Sequence, residues 1–389
     1  MIGVTDTSIL RLSPVDKHFF YGYYDNKQIS DDGGKYLFHH VDFIDRLPDA
    51  YDLCRLGYID ISSGEIIYFG ETNSWNFQQG SMLEWDPAQK DTVFYNFFDG
   101  SNYRSCRLNI KTGVRQIFPR ANADISPNGK FGLSINFSRL YDFRAGYGYC
   151  NIEDAFKNEI APENDGIFLT NLYTAESHLL VSYKKLYKIF NKSEETKDCK
   201  VTINHITFNV ESDRFIFLIR CFPKGSKEWK TGLGTCDLDG NVYLLRDYTF
   251  ASHYFWKENG IILIYADCGE GKGLYELKDM TQAYQLYPNS FFNKDIHCTY
   301  SPNRHWIAGD SYPEENGYRP LVIYNTMVKK GLIAFKVFSP TGEITDIRCD
   351  LHSKWASDGK QIVFDSIHEG YRGIYCMNLA PVMETIINN

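Results

Sequence analysis

The chain has 389 residues, with 41 basic against 49 acidic side chains and a formal charge of −8. That balance argues against the broad cationic surface that nucleic acid requires. Hydrophobic residues make up 43% and aromatics 16%, with 28 Tyr and 27 Phe, which excludes a disordered chain and suits β-strands.

In chain order, Met1 to Lys17 carry no basic segment followed by an apolar one, and nowhere do eighteen apolar residues run together. We therefore expect neither secretion nor a membrane span. One pattern then recurs: an apolar or aromatic residue, a short polar turn and an alternating apolar run. It opens as N-K-Q-I-S-D-D-G-G-K-Y-L at Asn26, M-L-E-W-D-P-A-Q-K-D-T-V-F at Met82 and N-A-D-I-S-P-N-G-K-F-G-L at Asn122. H-I-T-F-N-V-E-S-D-R-F-I-F follows at His205 and H-Y-F-W-K-E-N-G-I-I-L-I at His253. The last copies are H-C-T-Y-S-P-N-R-H-W-I-A-G at His297 and H-S-K-W-A-S-D-G-K-Q-I-V-F at His352. Each copy precedes a second motif of strand, turn and strand, from L-G-Y-I-D-I-S-S-G-E-I at Leu56 to G-I-Y-C-M-N-L at Gly373.

A four-stranded propeller blade takes roughly 40 to 50 residues, and the copies start 40 to 56 residues apart except for one interval of 83. The first motif reads as strands A and B around a tight turn, the second as strands C and D. The expected fold is all-β, a seven-bladed β-propeller forming a single domain over 1–389, with a β-sandwich or two all-β domains as the alternative. The long interval between Asn122 and His205 carries an insertion at about 138–200. Helical spacing marks Asn151 to Ile160 and Tyr183 to Asn191 within it. Either Ile9 to Leu12 or Met383 to Ile387 supplies the strand that closes the ring. The ten cysteines stand singly, without a C-x-x-C pair, and fit buried free thiols in a reducing cytoplasm.

Four of the seven strand-A copies begin with histidine: His205, His253, His297 and His352. Strand A lines a propeller's central channel, so the same register in successive blades brings these imidazoles to one mouth. Such a group, with positions left open, suits Mn, Fe, Ni or Zn. Asp295 and Asp350 each stand two residues before a histidine, on the same strand face, where they can ligate or orient a ring. The ends of strands B return to this mouth and bring Arg139, Arg220, Asp267, Asp310, Asp365 and His368. Arg220 stands out because I-F-L-I-R-C-F sets a charge directly after four apolar residues. The runs Y-G-Y-Y-D-N (Tyr21 to Asn26) and S-W-N-F-Q-Q-G-S-M (Ser74 to Met82) reach the same mouth. There Tyr24 and Trp75 would stack on sugar rings and Gln79 would bond hydroxyls, or the aromatics would pack between blades.

With its H-x-x-[FWY]-x-x-[DNG] strand openings, its D-G and T-G turns and its I-N-H-I-T-F segment followed by a charged end to strand B, the chain resembles the oligogalacturonate lyase-like seven-bladed propellers. The resemblance implies a divalent metal, manganese first with zinc or calcium as alternatives, and an acidic oligosaccharide cleaved by β-elimination. It further implies His253, His297 and His352 as ligands, with Arg220, or His205 beside it, in the position of the base. The last blade departs from the family: R-C-D-L-H (Arg348 to His352) offers Asp350 where a glutamine and paired histidines are expected. Arg139, Asp310 and His368 join Tyr24, Trp75 and Gln79 as candidate substrate contacts. Two other functions stay open. One is a hydrolase or surface-polysaccharide assembly factor using Asp267, Asp310 and Asp365 as acid and base. The other is a non-catalytic binding module, in either case as a monomer or homodimer.

Overall fold

The computed structural model describes residues 9–223, 226, 228–288 and 290–388. Among them, seven antiparallel four-stranded sheets succeed one another along the chain, each meandering from an inner strand A to an outer strand D. The seven-bladed propeller is thus the observed architecture. Strands B and C are covered on both faces by neighbouring blades and so run continuously apolar, as in R-F-I-F-L-I-R-C of blade four (Arg214–Cys221) and I-I-L-I-Y-A-D of blade five (Ile261–Asp267). Outer strands such as Arg115–Phe118 alternate, since one of their faces meets water.

The core is divided accordingly. One hydrophobic cluster fills each interface between successive blades, from Phe20, Leu37, Trp85 and Val93 between blades one and two to Phe19, Phe38, Val363 and Ile374 between blades seven and one. All ten cysteines are unpaired and seven are buried, so ring closure rests on strand pairing. Leu10–Arg11 supplies it as the outer strand of blade seven, Leu10 opposite Cys376 and Arg11 opposite Tyr375. The Arg11 guanidinium secures the join through Ser13 O, Pro14 O, the Tyr375 hydroxyl and Glu369. The alternative closing segment, Met383 to Ile387, lies instead in a helix (Ala380–Asn388) whose Val382 and Ile386 pack on blades six and seven. Its first amide is capped by Asn378, and Pro381 sits in its first turn.

The insertion is two pieces around the C and D strands of blade three (Gly166–Asn171 and Ser177–Ser182). The second piece contains the expected helix, Tyr183–Phe190. The first does not: its helix is Phe137–Phe143, N-capped by Asn136, and Asn151 to Ile160 forms turns. Arg139 explains the difference. Its guanidinium gathers the carbonyls of Phe156, Glu159 and Ile160 onto one group, where a helix would keep them parallel to its axis, and pairs with Asp154. No helix among the described residues is long and apolar enough to cross a membrane.

Strand A of blade one is interrupted. It runs over His18–Phe20 and resumes only as a bridge at Ile29, and the intervening Y-G-Y-Y-D-N enters the channel instead of lining its mouth. Tyr23 and Tyr24, each 2% exposed, both lie within ring-contact distance of His205, His253, His297 and His352. Only a segment on the axis meets four successive blades at once. Tyr21 N–H donates to Asp365, the Tyr24 hydroxyl donates to Tyr254 O and accepts from Tyr254 N, and Asp25 pairs with His205.

Beside this plug, His39 Nε2 accepts the Ser81 amide at 3.0 Å. Gly80 has φ +60°, and a Cβ there would lie 2.2 Å from the His39 ring. Gly80→Ala should therefore destabilise the chain by about 2–4 kcal/mol in urea unfolding, combining left-handed strain with overpacking. Burial also pushes His39 down to about 3. Above pH 6.5 the ring is neutral in both states. As pH falls from 6.5 towards 3 only the unfolded chain takes up the proton, so stability is lost by at most about 1.4 kcal/mol per pH unit. His39→Gln should lose less stability than the parent between pH 7 and 5, and an equal loss would place the acid sensitivity elsewhere.

Candidate functional site

Strands A of blades five, six and seven deliver three imidazoles to one point. The rings of His253 and His297 are 3.9 Å apart and those of His297 and His352 4.6 Å, centroid to centroid. Each of the first two is oriented by a carboxylate. His253 Nδ1 lies 3.0 Å from Asp295, which follows it by one blade, and His297 Nδ1 lies 3.1 Å from Asp310 on the neighbouring strand. An Nδ1–H given to a carboxylate fixes the tautomer and leaves Nε2 with its lone pair. The Nε2 atoms of His297 and His352 are buried without a hydrogen-bond partner.

Asp310 does more than hold a ring. It is fully buried and also accepts the amides of Leu351 and Ser353, the two residues flanking His352. His352 itself has φ +43°, a conformation that side-chain-bearing residues rarely adopt, with Lys354 Nζ bonded to its carbonyl. Strained backbone held by surrounding bonds is common where a side chain must be aimed. Burial, then the neighbouring His297, hold the His352 imidazole well below its ordinary range, and the same two causes bring His253 down to about 4. Both rings are thus neutral at physiological pH, as metal ligands must be.

Asp350 completes a compact donor set: its carboxylate and the nitrogens of His297 and His352 lie within 4.8 Å of one another. It is also committed to cations. Arg319 Nη1 is 2.8 Å and Arg348 Nη2 2.7 Å away, and although burial alone would raise it, these guanidiniums hold the carboxyl well below the usual range. Its Oδ2 accepts no hydrogen bond of good geometry. Two partnerless imidazole nitrogens, an adjacent third histidine and a carboxylate oxygen fit a divalent transition metal.

A cationic and phenolic rim surrounds this set. Arg348 reaches the hydroxyls of Tyr147 and Tyr312, and Arg144 lies over the Tyr147 ring at 4.1 Å. Arg220 is 4% exposed, bonds Asn204 Oδ1 through Nη1, has a partnerless Nε and faces the Trp229 ring at 5.2 Å. Burial, then the Arg144 charge, push it down to about 10.

The other candidates occupy different places. His205 stacks at 4.2 Å on Tyr254 and its Nε2 is 2.6 Å from Asp25, which ties it to the axial segment. Tyr24 is sealed under the histidines, and Trp75, 2% exposed, packs edge-on against Phe77 and donates to Asp52 O. Neither ring is available for sugar stacking. The Gln79 backbone lies against Gly22 of the axial segment. Arg139 clasps the insertion, and His368 bonds Ser366 and packs at a tilt on Tyr375, which bonds Glu369 and Arg11. Asp310 orients rather than faces a substrate. Asp267 accepts the turn amides of Gly269 and Gly271, and Asp365 that of Tyr21, which removes the carboxylates on which a hydrolase reading relied.

Sequence reasoning missed Arg144, Tyr147, Tyr312 and Arg319. Arg319 gave the signal that marks Arg220, a charge abutting an apolar strand, Y-R-P-L-V-I-Y. Arg144 and Tyr147 sit in the insertion, where no repeat register locates a residue.

No protein-family model matches this sequence, and no curated protein matches it. Solved structures do. An oligogalacturonate lyase from Vibrio parahaemolyticus superposes with a TM-score of 0.68 at 14% identity, over 97% of this chain and 95% of its own. An oligogalacturonate lyase in complex with manganese gives 0.67 at 15%, over 96% and 95%. A xyloglucanase from Xanthomonas campestris gives 0.51 at 10%, over 97% of this chain and 54% of its own. At such identities the likeness is one of fold: end to end, this chain has the propeller architecture of the oligogalacturonate lyases, as its motifs implied.

Protein prepared without chelator should bind Mn²⁺ near 1:1 by elemental analysis, and His297→Ala and His352→Ala should each abolish this. Asp310→Asn should weaken it roughly 10- to 100-fold, the usual effect of removing a carboxylate behind a ligating histidine. Full retention in the histidine variants would dissolve the site.

Proposed function

We propose that the chain is a metal-dependent lyase acting on uronate-containing oligosaccharides by β-elimination. The observation that carries this reading is the joining of three histidines, two with partnerless Nε2 atoms and two oriented by carboxylates, to a rim of three arginines in one buried place. Imidazoles alone would serve many reactions, and arginines alone would serve as a simple anion site. Together they suit a substrate that is anionic and must lose a carbon-bound proton next to its carboxylate. The fold shared with a lyase crystallised with manganese supports the choice of metal.

His297, His352 and Asp350, with His253 adjoining, would hold the metal. Once bound, it would neutralise the uronate carboxylate and so stabilise the charge that builds there as the C5 proton leaves. Arg348 and Arg144, with the Tyr147 and Tyr312 hydroxyls, would hold the acidic sugar from the opposite side. Arg220 would take the C5 proton. Among the described residues it has no carboxylate within salt-bridge distance, and its burial and the charge of Arg144 beside it both disfavour its charged form. The electron pair of the C5–H bond becomes the C4–C5 double bond, the C4–O bond breaks, and the departing oxygen collects a proton from water.

Incubation with oligogalacturonates and Mn²⁺ should yield a product absorbing in the ultraviolet through its C4–C5 double bond. Arg220→Ala should lower kcat about 10²–10⁴-fold, the range for a positioned proton-transfer group, while leaving metal content unchanged. A metal-loaded protein silent towards every uronate oligomer would overturn the reading.

A further inference from the structure

The axial segment has a second side. Beyond Tyr24 the channel opens at its other mouth, among the A–B turns, into a cavity of about 380 Å³. Asp25, Glu84 and Asp124 line it together with Trp85, Phe255 and Trp256. The carboxylates come from the axial segment and from the inner strands of blades two and three (Glu84–Trp85 and Asp124–Ile125). The aromatic rings come from blades two and five.

Charge is not balanced here. Of the two cations that also line the cavity, Lys27 is paired with Asp31 at 2.6 Å and Arg304 with Glu258 at 3.4 Å. Asp86, behind Glu84, has its own partner in Arg107. Asp25 gives one oxygen to His205, and its other oxygen is buried without a hydrogen-bond partner in a side chain only 8% exposed. Glu84 is 7% exposed and Asp124 half-buried, and among the described residues neither has an arginine or lysine within salt-bridge distance; Asp124 accepts the Phe208 amide. Uncompensated buried carboxylates are costly unless a proton or a cation joins them.

We propose that this far mouth is a binding site for a small organic cation, an alkylammonium or alkyldiammonium, whose nitrogen is received by Asp25, Glu84 and Asp124 and whose carbon chain lies against Trp85, Trp256 and Phe255. The indole N–H groups are already spent, on Gln28 O and Thr207 O, so the rings offer apolar and π surface, which attracts a cation. The volume is that of a small ligand. The compact donor grouping found among the described residues is the histidine site, not this one, so the carboxylates suit an extended organic cation better than a bare metal ion. Without a ligand, protons fill the gap: burial, then the charges of Asp25 and Asp86, push Glu84 up to about 8, and burial, then Glu84, push Asp124 well above its ordinary value.

The test is calorimetric titration of the full chain at pH 7.5 with 1,4-diaminobutane, with CaCl₂ and glucose as parallel probes. The diamine should bind 1:1 and displace protons, so that the measured heat varies with the ionisation heat of the buffer. Glu84→Gln and Asp124→Asn should each weaken binding at least tenfold. Prior treatment with chelator should change nothing, which separates this site from the histidine centre and the lyase reading. If a variant fails to fold, the thermal shift of the parent chain with diamine, against NaCl at equal ionic strength, reads the same interaction. Absence of diamine binding at millimolar concentration, binding indifferent to both substitutions, or binding of Ca²⁺ in place of the diamine would each overturn the proposal.

Discussion

Asp310 is the group on which the candidate site depends. A fully buried carboxylate is tolerated only when its lone pairs are met, and this one is met by the His297 ring and by the amides on either side of His352. Through those bonds a single charge couples strand A of blade six to the irregular start of blade seven. It sets one histidine's tautomer and the other's unusual backbone. The orientation of two imidazoles is therefore one fact about the structure rather than two.

The axial segment plays the corresponding part for the channel. A ring of seven blades leaves a hole along its axis, and here strand A of blade one yields six residues to fill it. The Tyr23 and Tyr24 rings form the floor beneath the histidines, and Asp25 carries a charge through to the other side. The channel is thereby divided into two chambers of opposite character. The one above the tyrosines gathers imidazoles and arginines, while the one below gathers carboxylates and indoles. This division keeps the arginines of one chamber apart from the carboxylates of the other, so that neither set neutralises the other.

The presence of Asp350 among the donors also has a local logic. A carboxylate among the donors lowers the positive charge of the site, and Arg319 and Arg348 restore it from behind. The rim arginines, Arg144 and Arg220, add further positive charge beside the donor set.

Local sequence determined the fold to a considerable depth. The repeat of strand, turn and strand is written in apolar runs and turn residues that act over a few positions, so seven blades and the convergence of His253, His297 and His352 could be read directly. What depended on contacts distant in the chain could not. Whether Asn151 to Ile160 coils or turns was decided by Arg139 taking its carbonyls. Whether Tyr24 and Trp75 meet a ligand or the core was decided by blades they do not belong to. The closing strand was settled by which terminus found the open edge of blade seven, and the Arg144 and Tyr147 rim by where an insertion without register folded back. Periodicity reports what a residue's own strand demands, whereas the partners of a buried charge come from whichever blades the closed ring brings beside it.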